Sequence, residues 1–244
     1  MKVAIIPARG GSKRIAGKNI KAFCGKPIIT YSIELAINSG LFDRVVVSTD
    51  CREISAVALA AGAEVPFVRP PYLSDDHCAT NAVIKHAVER LEQDGVDIDI
   101  ACCLYATAPL LQVEDLQRGL AMLHESGAAF AFSITSFPFP VQRAITRDAN
   151  GRIRPLYPQH IYSRSQDLPE AYHDAGQFYW GTRAAYLEEM DIFSPRAVGV
   201  VVPRDRVQDI DTPEDWAMAE KLYALQHLHG QSQQTARQRA ESRG

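Results

Sequence analysis

Four apolar residues, Val3-Ala4-Ile5-Ile6, stop at Pro7 and open directly into the segment Arg9-Gly10-Gly11-Ser12. A run apolar on both faces needs cover on both sides, so it reads as a buried parallel strand near a sheet centre, followed by a loop. The same alternation continues along the chain. Apolar residues at helical spacing (Ile28, Tyr31, Ile33, Leu35, Ala36) predict a helix over Pro27–Ser39, with Gly40 as its C-cap. Arg44–Ser48 reads as a strand, Arg52–Ala61 as a helix closed by Gly62, and Glu64–Val68 as a short strand before the Pro70-Pro71 break. Thr80–Gln93 and Val113–Glu125 read as helices, Ile98–Tyr105 and Ala129–Thr135 as strands. Strands alternating with helices predict an α/β fold with a mostly parallel, doubly wound sheet.

After Ser136 the rhythm breaks. Phe137-Pro138-Phe139-Pro140, a turn over Asp148–Gly151, and Pro155, Pro158 and Pro169 divide the chain into short pieces, read as an inserted arm over roughly residues 137–175. Regular structure resumes with Gln177–Trp180, a helix around Arg183–Met190, the strand Ala197–Val202 and a last helix beginning Thr212-Pro213-Glu214-Asp215. Thr212 suits the N-cap, proline the first helical position, and acids the positive end of the helix dipole. The expected organisation is a single domain over 1–228, with a Gln/Ser/Arg-rich tail, 229–244, read as disordered. There is no internal repeat.

A chain of 244 residues, 46% hydrophobic, can bury one large core. No apolar run approaches the roughly 20 residues of a membrane span, and Val3–Ala8 is too short for a signal peptide, so a cytoplasmic, membrane-free protein is expected. Its 5 cysteines form neither C-x-x-C spacing nor an even set; they read as small buried or half-buried residues. A net charge of −3 argues against a nucleic-acid binder. The first 33 residues nevertheless carry seven cations (Lys2, Arg9, Lys13, Arg14, Lys18, Lys21 and Lys26), and the first acid is Glu34. A polyanionic ligand is expected near this end.

Pro7 to Asn19 lies just past the first strand, where open α/β sheets bind ligands. Gly10 and Gly11 allow backbone N–H groups to approach an anion, with Ser12 beside them, and Arg9 and Lys18 can reach phosphate oxygens. Five residues rather than four separate Gly11 from Gly17-Lys18, and Asn19 stands where Ser or Thr is required, so the segment is not a Walker A loop. A triphosphate fits the charge; a basic loop that merely turns the chain is the alternative, and the better one for Lys13 or Arg14 taken alone. Asp209 and Asp211, one residue apart, project to one side of an extended segment and suit Mg²⁺, which takes one or two carboxylates plus phosphate and water. The same acids could cap the following helix; Asp209 and Asp211 are assigned to metal, Glu214 and Asp215 to the helix. Asp50 is either a support for the loop or an N-cap, and His173-Asp174, with no nucleophile motif beside it, reads as pocket lining.

Ile5 to Ile20 and Gln208-Asp209-Ile210-Asp211-Thr212 resemble the acylneuraminate cytidylyltransferase family, which includes CMP-sialic acid synthetases, and the similarity runs from Met1 to about Leu225. The resemblance implies a Rossmann-like nucleotidyltransferase fold, CTP as donor, Mg²⁺ as cofactor, and a homodimer formed through the inserted arm. It places Arg9 and Lys18 on the CTP phosphates and Asn19 close to the nucleotide. Arg69, within Val68 to Asp76, matches a pocket-lining segment, with a surface arginine as the alternative. Leu104-Tyr105-Ala106-Thr107-Ala108-Pro109 matches the sialic acid enzymes' Leu-Gln-Pro-Thr-Ser-Pro in order but carries Tyr105 in place of glutamine. With Phe137 to Ala144 and Ala171 to Gly181, this looks like the pseudaminic acid branch. Tyr105, Gln142, Arg143, Gln177 and Tyr179 are then candidates for the carboxylate and N-acyl groups of a nonulosonic acid, although aromatic-rich stretches also serve packing.

The implied reaction is attack of the sugar's anomeric hydroxyl on the α-phosphorus of CTP with loss of pyrophosphate. Catalysis rests on Arg9, Lys18 and Asp211 by positioning and charge neutralisation. The same chemistry on N-acetylneuraminic or legionaminic acid, a UTP- or GTP-dependent nucleotide-sugar pyrophosphorylase, and a non-catalytic nucleotide-binding module are the rival readings.

Overall fold

The computed structural model describes residues 1–75 and 78–226. Ten strands occur among them: β1 (Lys2–Pro7), β2 (Ala22–Phe23), β3 (Lys26–Pro27), β4 (Arg44–Ser48), β5 (Ile100–Leu104), β6 (Phe130–Ser136), β7 (Ile145–Arg147), β8 (Ile153–Pro155), β9 (Tyr172–Thr182) and β10 (Ala197–Val201). The helices are α1 (Ile28–Ser39), α2 (Arg52–Ala60), α3 (Thr80–Gln93), α4 (Val113–Ser126), α5 (Arg183–Leu187) and α6 (213–226). No helix of the described residues is long and apolar enough to cross a membrane.

Six strands form one sheet in the order β10-β6-β9-β5-β1-β4. Alternate residues of the apolar strands feed two cores. Ala4 and Ile6 of β1 pack with Ile29 and Ile33 of α1, Ile54 of α2 and Leu116 and Leu123 of α4. Val3 and Ile5 pack on the other face with Ile84, Val88 and Leu91 of α3 and Tyr186 of α5. The two-sided cover read from Val3–Ile6 is thus present, and β1 lies between β5 and β4 with parallel register to both.

The strand expected over Glu64–Val68 shrinks to isolated bridges, Val46 to Glu64 and Thr49 to Val68. Pro66 between them has no N–H for a ladder. β9 is longer than expected and antiparallel to both neighbours, β5 and β6. Its pairing with β6 shifts register between Phe132 and Ile134, where the β9 side carries Gly176 at φ 61°. Cys24 is exposed rather than buried, because Cys24 and Gly25 form the positive-φ turn between β2 and β3 (φ 44° and 102°).

Residues 137–171 lie between β6 and β9 and contain the β7–β8 hairpin, whose turn is closed by the Asp148 carboxylate accepting from the N–H groups of Asn150 and Arg152, both at 2.9 Å. Phe139, Ile145, Ile153 and Tyr162, the last 97% exposed, leave this arm uncovered. Thr212 caps α6 as expected: its hydroxyl accepts from the Asp215 N–H at 3.2 Å, and Asp215 accepts in return from the Thr212 N–H at 2.8 Å. The tail, 229–244, lies outside the described residues.

Gly119 of α4 is pressed onto β9: a Cβ there would stand 2.7 Å from the Phe178 ring and 2.8 Å from that of Trp180. Alanine would favour the helix by up to about 1 kcal/mol, but overpacking two buried rings costs about 1–3 kcal/mol. Gly119→Ala is therefore expected to lower the unfolding midpoint in urea and in heat; an unchanged or raised midpoint would show that α4 moves away freely.

Candidate active site

Pro7 ends β1, and the chain then turns back on itself. The Ala8 N–H donates to Ser48 O at 2.9 Å, the Gly10 N–H to Asp50 Oδ1 at 2.9 Å, and Asn19 Nδ2 to Arg9 O at 3.0 Å. Gly17 takes the left-handed conformation (φ 58°, ψ 30°) and starts the single 3₁₀ turn Lys18–Ile20. Asp50 is therefore the support of this loop, while α2 starts from Cys51.

Gly10 departs from the sequence expectation. Its N–H is engaged by Asp50, and a Cβ would meet Cys51 Cβ at 2.9 Å, so glycine is required here by close packing against α2. Neither Gly10 nor Gly11 lines the cavity above the loop.

That cavity, ≈ 440 Å³, lies at the C-terminal ends of β1 and β5. It gathers Arg9, Ser12, Lys18 and Asn19 from the first loop, Arg69 from the segment after α2, Tyr105 from the end of β5, and Asp209 and Asp211 from the far end of the chain. Lys18 Nζ donates to Ile210 O at 2.6 Å and to Asp211 Oδ1 at 3.3 Å, while Arg14 contacts Asp211 Oδ2 at 2.9 Å. Arg14 thus belongs to the site. Nothing in its local sequence separated it from a solvated surface cation, since its partner lies 197 positions away.

Arg69 is 3% exposed, not a surface residue. Its guanidinium donates to Ser48 O and, at 3.4 Å, to Leu73 O; Nε is buried with no hydrogen-bond partner. Burial lowers its pKa, opposed by the nearby Asp50 charge. Asp209 is held above the usual carboxylate range, first by desolvation and then by the Asp211 charge, which Lys18 opposes. Two crowded carboxylates beside a cavity make an oxygen donor set that a hard cation would relieve. No group of three or more His, Cys, Asp or Glu suited to a metal occurs among the described residues, so the remaining coordination would come from phosphate and water.

The Tyr105 hydroxyl lies 3.3 Å from Thr80 Oγ1 at the start of α3, and burial pushes its pKa up to about 12. Thr80 also lines the cavity, without any motif to mark it in the sequence. Tyr179 stands behind Tyr105, ring centroids 5.4 Å apart, and donates to Asp174 rather than into the cavity. His173 and Asp174 are likewise absent from the lining. Gln177 is turned elsewhere: Nε2 donates to Arg206 O at 2.6 Å. Gln142 and Arg143 sit on the arm, where Gln142 Nε2 donates to Pro169 O at 2.8 Å and Arg143 to Ser165 Oγ at 3.2 Å. Within one chain, Gln142, Arg143, Gln177 and Tyr179 therefore do not line the cavity that holds Arg9 and Asp211.

The chain is 49% identical to a pseudaminic acid cytidylyltransferase of Campylobacter jejuni over 225 residues, 92% of this chain and 97% of that one. It is 31% identical to a CMP-N,N'-diacetyllegionaminic acid synthase of Legionella pneumophila, covering 91% and 96% of the two chains. Its fold matches the structure of a CMP:2-keto-3-deoxy-manno-octonic acid synthetase complexed with CTP, with a TM-score of 0.67 at 19% identity over 93% of this chain and 99% of the other. The cytidylyltransferase family model matches residues 3–238. That match takes in the loop after β1, the sheet and the Asp209/Asp211 segment, and the chain belongs to the cytidylyltransferase family.

Proposed function

We propose that this enzyme transfers CMP from CTP to the anomeric hydroxyl of pseudaminic acid and releases pyrophosphate. The observation that carries the reading is one cavity in which the cations Arg9, Lys18 and Arg69 face the carboxylates Asp209 and Asp211. The similarity to a pseudaminic acid cytidylyltransferase supports the sugar.

Arg9 and Lys18 bind the triphosphate and take up charge as it shifts toward pyrophosphate. Lys18 has three N–H donors; Ile210 O and Asp211 occupy two, which leaves one for a phosphate oxygen. Arg69 adds a third cation to this lining. Asp209 and Asp211 would hold a divalent cation, Mg²⁺, through their carboxylate oxygens. When bound, that cation supplies Lewis-acid stabilisation of charge on the phosphate oxygens. Tyr105 and Thr80 bound the cavity beside β5 and contact the sugar. No protein nucleophile is required, because the sugar hydroxyl attacks the α-phosphorus directly.

A homodimer formed through the arm fits the uncovered Phe139, Ile145, Ile153 and Tyr162. Gln142 and Arg143 then reach a sugar only if the arm of one copy meets the cavity of another. The cytoplasm, where CTP is made, is the expected site of action.

Pyrophosphate release from CTP and Mg²⁺ is expected with pseudaminic acid and not with N-acetylneuraminic or legionaminic acid. Release with one of the latter alone would retain the chemistry and overturn the sugar. Asp211→Asn is expected to lower turnover by about a hundredfold or more while the protein still melts cooperatively, and Arg9→Ala to raise the KM for CTP. Wild-type kinetics in both variants would remove these residues from the site.

A further inference from the structure

The chain leaves β10 at one edge of the sheet and delivers Asp209 and Asp211 above β1, four strands away in the sheet order. At about 4.8 Å per strand that is a crossing of roughly 19 Å over the strand ends. It is pinned in sheet order. Val202 donates to Ile134 O at 2.8 Å and accepts from Thr135 Oγ1 at 2.8 Å, both on β6. The Arg206 carbonyl accepts from Gln177 Nε2 of β9 at 2.6 Å. The Ile210 carbonyl accepts from Lys18 Nζ at 2.6 Å, just past β1.

At the midpoint the Arg206 guanidinium makes a two-pronged bond to Asp115 of α4, NH2 to Oδ1 at 3.0 Å and NH1 to Oδ2. Asp115 is 1% exposed and also accepts from Arg118 at 2.7 Å; Arg118 in turn donates to Val201 O at 3.0 Å. A buried carboxylate carrying two arginines is a weak device for stability, since apolar replacements of such groups are often neutral or better. It is an effective device for fixing direction, because the planar fork accepts one geometry. Asp115, Gln177 and Arg206 do not line the cavity, yet Arg206 stands three residues before Asp209.

We propose that Arg206, clamped by Asp115 and Gln177, is a positioning residue that sets where the Asp209 and Asp211 carboxylates stand for a divalent cation. The inference rests on the metal reading of those two carboxylates. It also assigns to Gln177 a role distinct from sugar binding: its amide holds the crossing segment at β9, the one strand of the six-stranded sheet that runs antiparallel to its neighbours.

The test is CTP binding by calorimetry, in EDTA and across a Mn²⁺ titration, with no sugar present, for the full chain and for Arg206→Met and Gln177→Met. Groups that orient metal ligands typically change metal affinity by about 10- to 100-fold when removed. In Arg206→Met, CTP affinity in EDTA is expected to stay within about threefold of wild type. The Mn²⁺ concentration that tightens CTP binding is expected to rise about 10- to 100-fold. Gln177→Met should shift the same midpoint, and the double variant should fall short of the summed effects, since both act on one segment. An unchanged Mn²⁺ midpoint in both variants overturns the proposal, as does an equal loss of affinity in EDTA, which marks a general structural role. If Arg206→Met does not fold, Gln177→Met decides alone. A wild-type protein in which Mn²⁺ has no effect overturns the metal reading of Asp209 and Asp211, and this inference with it; that outcome is distinct because it appears before any substitution is made.

Discussion

The Lys18 ammonium, donating to Ile210 O at 2.6 Å and to Asp211 at 3.3 Å, joins the first loop of the chain to one of its last. Every part of the site depends on this contact being made in one geometry. It places the cations of the loop after β1 beside the Asp209 and Asp211 carboxylates, and it closes a cavity from segments 192 residues apart. The supports on either side are local. Gly17 turns the chain so that Lys18 faces inward, and Asp215 accepts from the N–H groups of Asp211 and Thr212, at 3.1 and 2.8 Å, so that the carboxylates enter just ahead of the α6 N-terminus.

The sheet explains why these loops meet. Parallel β1, β4 and β5 deliver their C-terminal ends to one side, and the loop after β1, the Arg69 segment and Tyr105 gather there. β9 reverses direction between β5 and β6 and so lets the chain leave the body after β6, form the arm, and return. The arm and the crossing segment 202–211 therefore leave the sheet at the same end, where Arg204 donates to Phe137 O at 3.4 Å. Electrostatics follow from the same layout: Arg69 is buried beneath the cavity with the Asp50 charge nearby, and Asp209 is pushed up by desolvation and by Asp211.

Much of this was legible in residue order. The Val3–Ile6 run, Gly40, the Thr212-Pro213 start and the Thr80–Gln93 periodicity are local signals, and each appears where local chemistry places it. Glu64–Val68 and β9 depart from their local patterns for opposite reasons. Pro66 removes a ladder donor that apolar patterning does not count, whereas the polar start of β9, Tyr172 to Asp174, becomes strand only because β6 offers unpaired partners.

The sequence by itself determined the class of chemistry: a cationic, glycine-containing turn after a buried strand, and two carboxylates one residue apart before a capped helix. Those patterns depend on neighbours within a few positions. Only the tertiary structure decided which cations serve the site. Arg14 joins Asp211, Gly10 turns to Asp50 and Cys51, Gln177 grips Arg206, and Tyr179 stands behind Tyr105. Each of these pairs is remote in sequence or opposed in orientation. A hydrogen bond is directional over about 3 Å, so its partner is settled by packing of the whole sheet and not by the residues on either side.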